Sequence, residues 1–312
     1  MAVDDDAVEV RARAAVARHR YDPADRARQQ IDVARRWRQQ GDYRRAGLLL
    51  ALTMPTVEEH CGRESLDVAQ LCNEWAVVGK YAGDFDLSEK LYLRALAIFR
   101  HRYGACHNTV ATVLHNLGGL AHARGAHAEG EPYAALSVRI RTSILGPGHP
   151  LVGADRAAWA ALLVGCGRAD EAEEQLLRAL AIFRAHHGGR SYEVASALHN
   201  LAAVQHRRGR LEEAIDEYRE ALLLKRRLLG PRHPDLAVTL VNLAAALCRH
   251  GDLSAARHHF ALARSILGPQ VSPDHPTLVA AVQGIAGIEQ AAASGRRVPP
   301  PAGGRPLLGG NE

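Results

Sequence analysis

Apolar residues along this chain fall at helical spacing, interrupted at regular intervals by single glycines. Leu198, Leu201 and Ala202 precede Gly209, and Leu211, Ala214, Ile215, Tyr218, Ala221, Leu222 and Leu224 follow it. Steps of three and four on both sides predict two amphipathic helices joined at the glycine, a helical hairpin. That glycine recurs at Gly41, Gly83, Gly125, Gly167, Gly209 and Gly251, every 42 residues. A second column, Gly62, Gly104, Gly146, Gly188 and Gly230, keeps the same period 21 residues out of phase. Two glycine-bounded segments per period predict two helices per repeat, and six repeats in all.

Small residues recur where helices must approach closely. Ala34, Ala76, Gly118, Ala160, Ala202 and Ala244 mark the first helix of each repeat, and Ala46, Ser88, Gly130, Ala172, Ala214 and Ala256 the second. Large residues, Val33, Trp75, Leu117, Trp159, Leu201 and Leu243, stand one place before the first set. Knobs and holes at fixed register suit ridge-and-groove packing. The junction Leu229-Gly230-Pro231-Arg232-His233-Pro234-Asp235 places glycine after one helix and proline with an acid at the start of the next. In the last junction Leu267-Gly268-Pro269 comes four residues early, which predicts a shortened helix and a longer loop. In the first repeat Pro55 breaks the pattern of the second helix.

The resulting organisation is an N-terminal capping helix over 1–23, six 42-residue repeats over 24–275, a C-terminal capping helix over 276–294 and a disordered Pro/Gly tail over 295–312.

Composition agrees with an all-α chain: of 312 residues 47% are apolar and only 5% aromatic, too few for a β-sandwich or barrel. No apolar run is long enough to span a membrane, and the first residues, Met1 to Asp6, are acidic, so a cytoplasmic protein is expected. The cysteines, Cys61, Cys72, Cys106, Cys166 and Cys248, are widely spaced and form no CxxC, the pattern of free thiols. Net charge is +5, and residues 11–45 concentrate it, with eleven arginines against four aspartates. This Arg-rich N-terminal third supports an alternative reading as a nucleic-acid or phosphate-binding regulator, although stacking aromatics and reader motifs are missing from it.

No Walker loop, GxSxG, HExxH or dinucleotide fingerprint is present, so neither enzymatic activity nor a cofactor is expected. Two pairs among the 17 histidines, His186-His187 and His258-His259, are adjacent on helices and point about 100° apart, which makes neither a chelating unit; no metal is expected.

The run from Leu229 to Ala244, Leu-Gly-Pro-Arg-His-Pro-Asp-Leu-Ala-Val-Thr-Leu-Val-Asn-Leu-Ala, resembles the 42-residue tetratricopeptide repeat of kinesin light chains and their bacterial relatives. The resemblance covers residues 24–293. The ordinary tetratricopeptide period is 34, and eight further residues lengthen each helix by roughly one turn. The resemblance implies a right-handed α-solenoid of six helix-turn-helix repeats with capping helices, whose first helices line a concave groove.

It assigns groove exposure to Asn73 and Lys80 in repeat two, His115, Asn116 and His122 in repeat three, and Ala158 and Ala161 in repeat four. His199, Asn200, His206 and Arg207 follow in repeat five, with Asn242 and Arg249 in repeat six. Asparagine at one column, Asn116, Asn200 and Asn242, resembles a ladder that holds a peptide backbone, because an amide both donates and accepts. The ladder is interrupted by Asp32, Glu74 and Ala158. The expected function is a non-enzymatic scaffold, adaptor or regulatory subunit that holds an extended acidic peptide. One apolar side chain of that peptide would lie over the small residues of repeat four. Lys80, Arg207 and Arg249 would supply charge, and His122 and His206 sensitivity to pH near 6.5.

Overall fold

The structure, a computed structural model, describes residues 23–294 as thirteen α-helices, with no strand among them. They are α1 (Pro23–Gln39), α2 (Tyr43–Cys61), α3 (Leu66–Ala82), α4 (Phe85–Tyr103), α5 (Asn108–Ala123), α6 (His127–Leu145), α7 (Pro150–Gly165), α8 (Ala169–His187), α9 (Tyr192–Arg207), α10 (Leu211–Leu229), α11 (Asp235–His250), α12 (Leu253–Leu267) and α13 (Pro276–Ser294). The expected N-terminal cap, but for Pro23, and the tail over 295–312 lie outside the described residues. The chain divides into two compact units between Pro147 and Gly148.

In the first unit α1–α2, α3–α4 and α5–α6 are hairpins, α2 packs on α3 and α4 on α5, and the first helices α1, α3 and α5 lie side by side. The second unit repeats this order with hairpins α7–α8, α9–α10 and α11–α12. There α13 covers α12 and α11, and α7, α9, α11 and α13 lie side by side.

The small residues that recur every 42 positions explain the close packing. All twelve are buried, from Ala34 and Ala46 to Ala244 and Ala256, with Gly118 and Gly130 standing in for alanine in the third repeat. Each leaves a depression into which the partner helix fits, and hydrophobic burial of about 25 cal/mol per Å² then holds the pair. Repetition of the same contact carries a core along each unit.

The glycines do different work. All eleven of the two columns have positive φ. Gly83 closes α3 in the left-handed region (φ 83°, ψ 5°), whereas Gly104 closes α4 at φ 80° and ψ 170°, a region open essentially to glycine alone. A side chain at Gly104 would meet nothing within 4 Å, so conformation and not space requires glycine there.

A third column starts the first helices. Ser65 and Ser191 accept from the backbone N–H three residues on, both at 3.2 Å. His107, His149 and His233 accept through Nδ1 from the N–H two residues on, each at 3.2 Å. His107 and His149 are the N-caps of α5 and α7, and His233 makes the same bond from one residue ahead of the Pro234 N-cap of α11.

Two departures of the chain from its own repeat take different forms. α12 stops after 15 residues where α10 runs 19, and residues 268–275 form the longer loop that Gly268-Pro269 predicts. Pro55, by contrast, does not break α2, which continues through it to Cys61. The lost N–H forfeits one ladder bond, and the burial of Leu49, Leu50, Met54 and Val57 on both sides of the proline outweighs it.

Candidate functional site

In the first unit the face of α1, α3 and α5 carries two kinds of link between neighbouring repeats. Between α1 and α3 the link is ionic. Glu74, 4% exposed, accepts from Arg35 Nε at 2.9 Å and from Arg38 Nε at 3.3 Å. Two guanidiniums on one buried carboxylate compensate its desolvation. The Arg38 guanidinium also lies 5.8 Å from the Tyr81 ring centre, and the Lys80 ammonium lies 4.6 Å from it.

Between α3 and α5 the link is an amide pair: Asn116 Nδ2 donates to Asn73 Oδ1 at 3.1 Å. Both asparagines are half-buried, as are His115 and His122. Burial holds the His122 imidazole below its ordinary pKa, with the adjacent His127 and the Lys80 charge acting in the same direction.

In the second unit the corresponding face is closed at α9. α9 is buried on nearly every side, including Ser196, His199, Asn200, Ala203 and His206, which stand at groove positions of the repeat. The burial differs from the exposure that the resemblance implies. α7 and α11 flank α9 on either side, and Thr239 and Asn242 of α11 reach the His199 ring. His199 is fully buried. Asn242 Nδ2 donates to its Nε2 at 3.3 Å, and Nδ1 hydrogen-bonds the Thr239 hydroxyl at 3.0 Å. The ring stands edge-on to Tyr218 at 5.4 Å.

His206 is buried as well, and its backbone oxygen accepts from Arg249 Nη1 at 2.7 Å. Burial, then the Arg249 and Arg207 charges, push its pKa down to about 4. A titration of His206 near 6.5 is thereby corrected: the ring stays neutral at neutral pH. Asn200 keeps 8% of its surface exposed and Asn242 3%. Ala158, Ala161 and Arg207 are half-buried, and Arg249 is exposed.

The structure therefore joins Asn73 to Asn116, His199 to Asn242, and Arg249 to the backbone of His206. Reading the sequence missed the partners Glu74, Thr239 and Tyr218. Glu74 carried a signal, since it stands in the asparagine column as an acid. Lys225 carried one too. It is 2% exposed, pairs with Asp235 at 3.1 Å, and stands where Phe99 and Phe183 stand in other repeats.

Among the described residues, several arginines near the start of the chain are engaged in ion pairs. Arg28 faces Asp25 and Asp67, Arg35 faces Asp32 and Glu74, and Arg45 faces Asp42. None of the five cysteines forms a disulfide. Among the described residues no three His, Cys, Asp or Glu side chains cluster to hold a metal ion, and no helix is long and apolar enough to cross a membrane.

Comparison with known proteins adds three findings. The family profile described as tetratricopeptide repeat matches residues 109–185, 153–222 and 193–267, together about half of the chain. No curated protein matches it. Among solved structures, BtubC (BKLC) from P. vanneervenii is 21% identical with a TM-score of 0.57, over 81% of this chain and 93% of that one. A putative kinesin light chain with nearly identical repeats from Podospora anserina is 22% identical with a TM-score of 0.60, over 67% and 99%. A Rap protein complexed with competence and sporulation factor is 13% identical with a TM-score of 0.58, over 86% and 76%. At these identities the likeness is one of fold.

Proposed function

Because the chain belongs to the tetratricopeptide repeat family, a fold of protein-interaction scaffolds, we propose that it acts as an adaptor whose first-helix face in the first unit holds an extended, net acidic peptide. The observation that carries this reading is the half-buried Asn73–Asn116 pair. After their mutual bond Asn116 retains one N–H and its oxygen, and Asn73 retains both N–H groups. A peptide backbone passing over the pair can be met by donor and acceptor alike, whatever its side chains. Lys80 on α3 supplies the attraction for acidic residues, and His115 and His122 line the same helices. The Rap neighbour, whose structure includes a bound factor, supports the use of this fold for such a purpose.

In the second unit the half-buried Ala158, Ala161 and Arg207 and the exposed Arg249 are the positions assigned to ligand contact. The buried His199, Asn200, His206 and Asn242 support that face from beneath. Selection of phage-displayed random dodecapeptides on the native chain tests the reading. Enrichment of Asp and Glu that disappears on the N73A/N116A variant supports it. Enrichment of Lys and Arg, or identical sequences from both proteins, rules it out.

A further inference from the structure

The second unit contains a cavity that the repeat pattern alone does not predict. The second helices α4, α6, α8 and α10 each run 19 residues, and α12 only 15. Pro269 has no N–H with which to continue the helix, and the side chain of Gln270 instead donates to the Ile266 carbonyl at 2.8 Å. At this blunt end lies a cavity of about 530 Å³, bounded by α10, α11 and α12. Leu222, Leu240, Leu262 and Ile266 form its apolar wall, and Arg226 and Arg232 stand exposed among the residues lining it. No carboxylate lines it, and neither guanidinium takes part in an ion pair among the described residues.

We propose that this cavity binds a fatty-acid-class ligand, with its alkyl chain against the leucines and its carboxylate between Arg226 and Arg232. The volume falls within the range of small-ligand sites, about 300–1,000 Å³. Unpaired arginines beside an apolar wall match a molecule that is hydrocarbon at one end and anionic at the other. The planar guanidinium is suited to a carboxylate, which it can meet with two parallel bonds. Free phosphate would satisfy the arginines and leave the leucines in water, and an uncharged hydrocarbon would do the reverse. The site shares no residue with the peptide face of the first unit, so either assignment can fail alone.

Isothermal titration with sodium decanoate below its micelle concentration tests the proposal on the full chain. One decanoate per chain is expected, with octanoate binding about tenfold more weakly for its two missing methylenes. The R226A/R232A variant alters only exposed side chains and should melt as the native protein does, while its affinity for decanoate falls at least about tenfold. L262W, which fills the cavity, should abolish binding. Absence of decanoate binding, undiminished binding by R226A/R232A, or inorganic phosphate binding as tightly as decanoate would each overturn it.

Discussion

The side-chain amide of Asn116 donates to Asn73 across one pair of neighbouring first helices, and Asn242 makes the corresponding bond to His199 across another. Both bonds span 43 positions, from the asparagine column of one repeat to the adjacent column of the repeat before it. The two rungs differ in burial. Replacing Asn242 by alanine leaves the wholly buried His199 Nε2 without its donor and should cost about 1–3 kcal/mol. Replacing Asn116 by alanine leaves a half-buried Asn73 oxygen that water can reach, at a cost below about 1 kcal/mol. Urea denaturation of the two variants measures the difference, and equal losses would show that burial does not separate the rungs.

The repeat glycines make a second, sharper contrast. Gly104→Ala should destabilise by about 1–3 kcal/mol although its new methyl group would touch nothing, because φ 80° with ψ 170° is strained for any other residue. Gly119→Ala, also with open space and within α5, should stabilise by up to about 1 kcal/mol through helix propensity. Thermal melting of the two variants should move in opposite directions; a shift of the same sign would contradict the conformational account.

The half-buried Glu217 and the buried His206 of the second unit oppose each other in their response to pH. Gln205 Nε2 donates to Glu217 Oε1 at 3.3 Å, while Glu217 Oε2 and Gln205 Oε1 are buried without partners. Burial raises the carboxyl from 4.5 to about 7, against the Gln205 bond; Glu173 and Glu220 add to the rise and Arg184 resists it. The folded state thus holds this proton more tightly than the unfolded chain, and the Glu217 contribution to stability falls as pH rises from about 4.5 to 7. His206, pushed down to about 4, behaves oppositely: stability falls as pH drops from 6.5 toward 4. Over the shared interval the two offset each other. Glu217→Gln should therefore make stability rise more steeply with pH between 5 and 6.5, as urea denaturation at pH 5, 6 and 7.5 would register; an unchanged slope would place the carboxyl at its ordinary value.

The architecture was legible in the sequence because its constraints are local and repeated. A positive φ at Gly146 or a depression at Ala202 demands the same residue type wherever the same backbone recurs, so the period appears in the letters themselves. The cap column was equally visible in principle, since His107, His149 and His233 share one register with Ser65 and Ser191. The burial of Asn200 and His206 was not legible. Burial of a first-helix side chain depends on which side chains of the neighbouring first helix reach over it, as Thr239 and Asn242 reach His199, and those partners stand about forty residues away in the chain. Pro55 illustrates the same limit, since local propensity ends a helix there and tertiary packing carries it through.

The central claim, that the first unit holds an acidic extended peptide over Asn73 and Asn116, is tested most directly by side-chain amide NMR. A synthetic pool of dodecapeptides rich in Asp and Glu would be titrated into the full chain with its asparagine amides labelled. The account predicts saturable shifts of the Asn73 and Asn116 resonances, lost on raising salt as the Lys80 attraction is screened, and none from a Lys-rich pool. Unmoved Asn73 and Asn116 resonances, or equal shifts from the two pools, would contradict it.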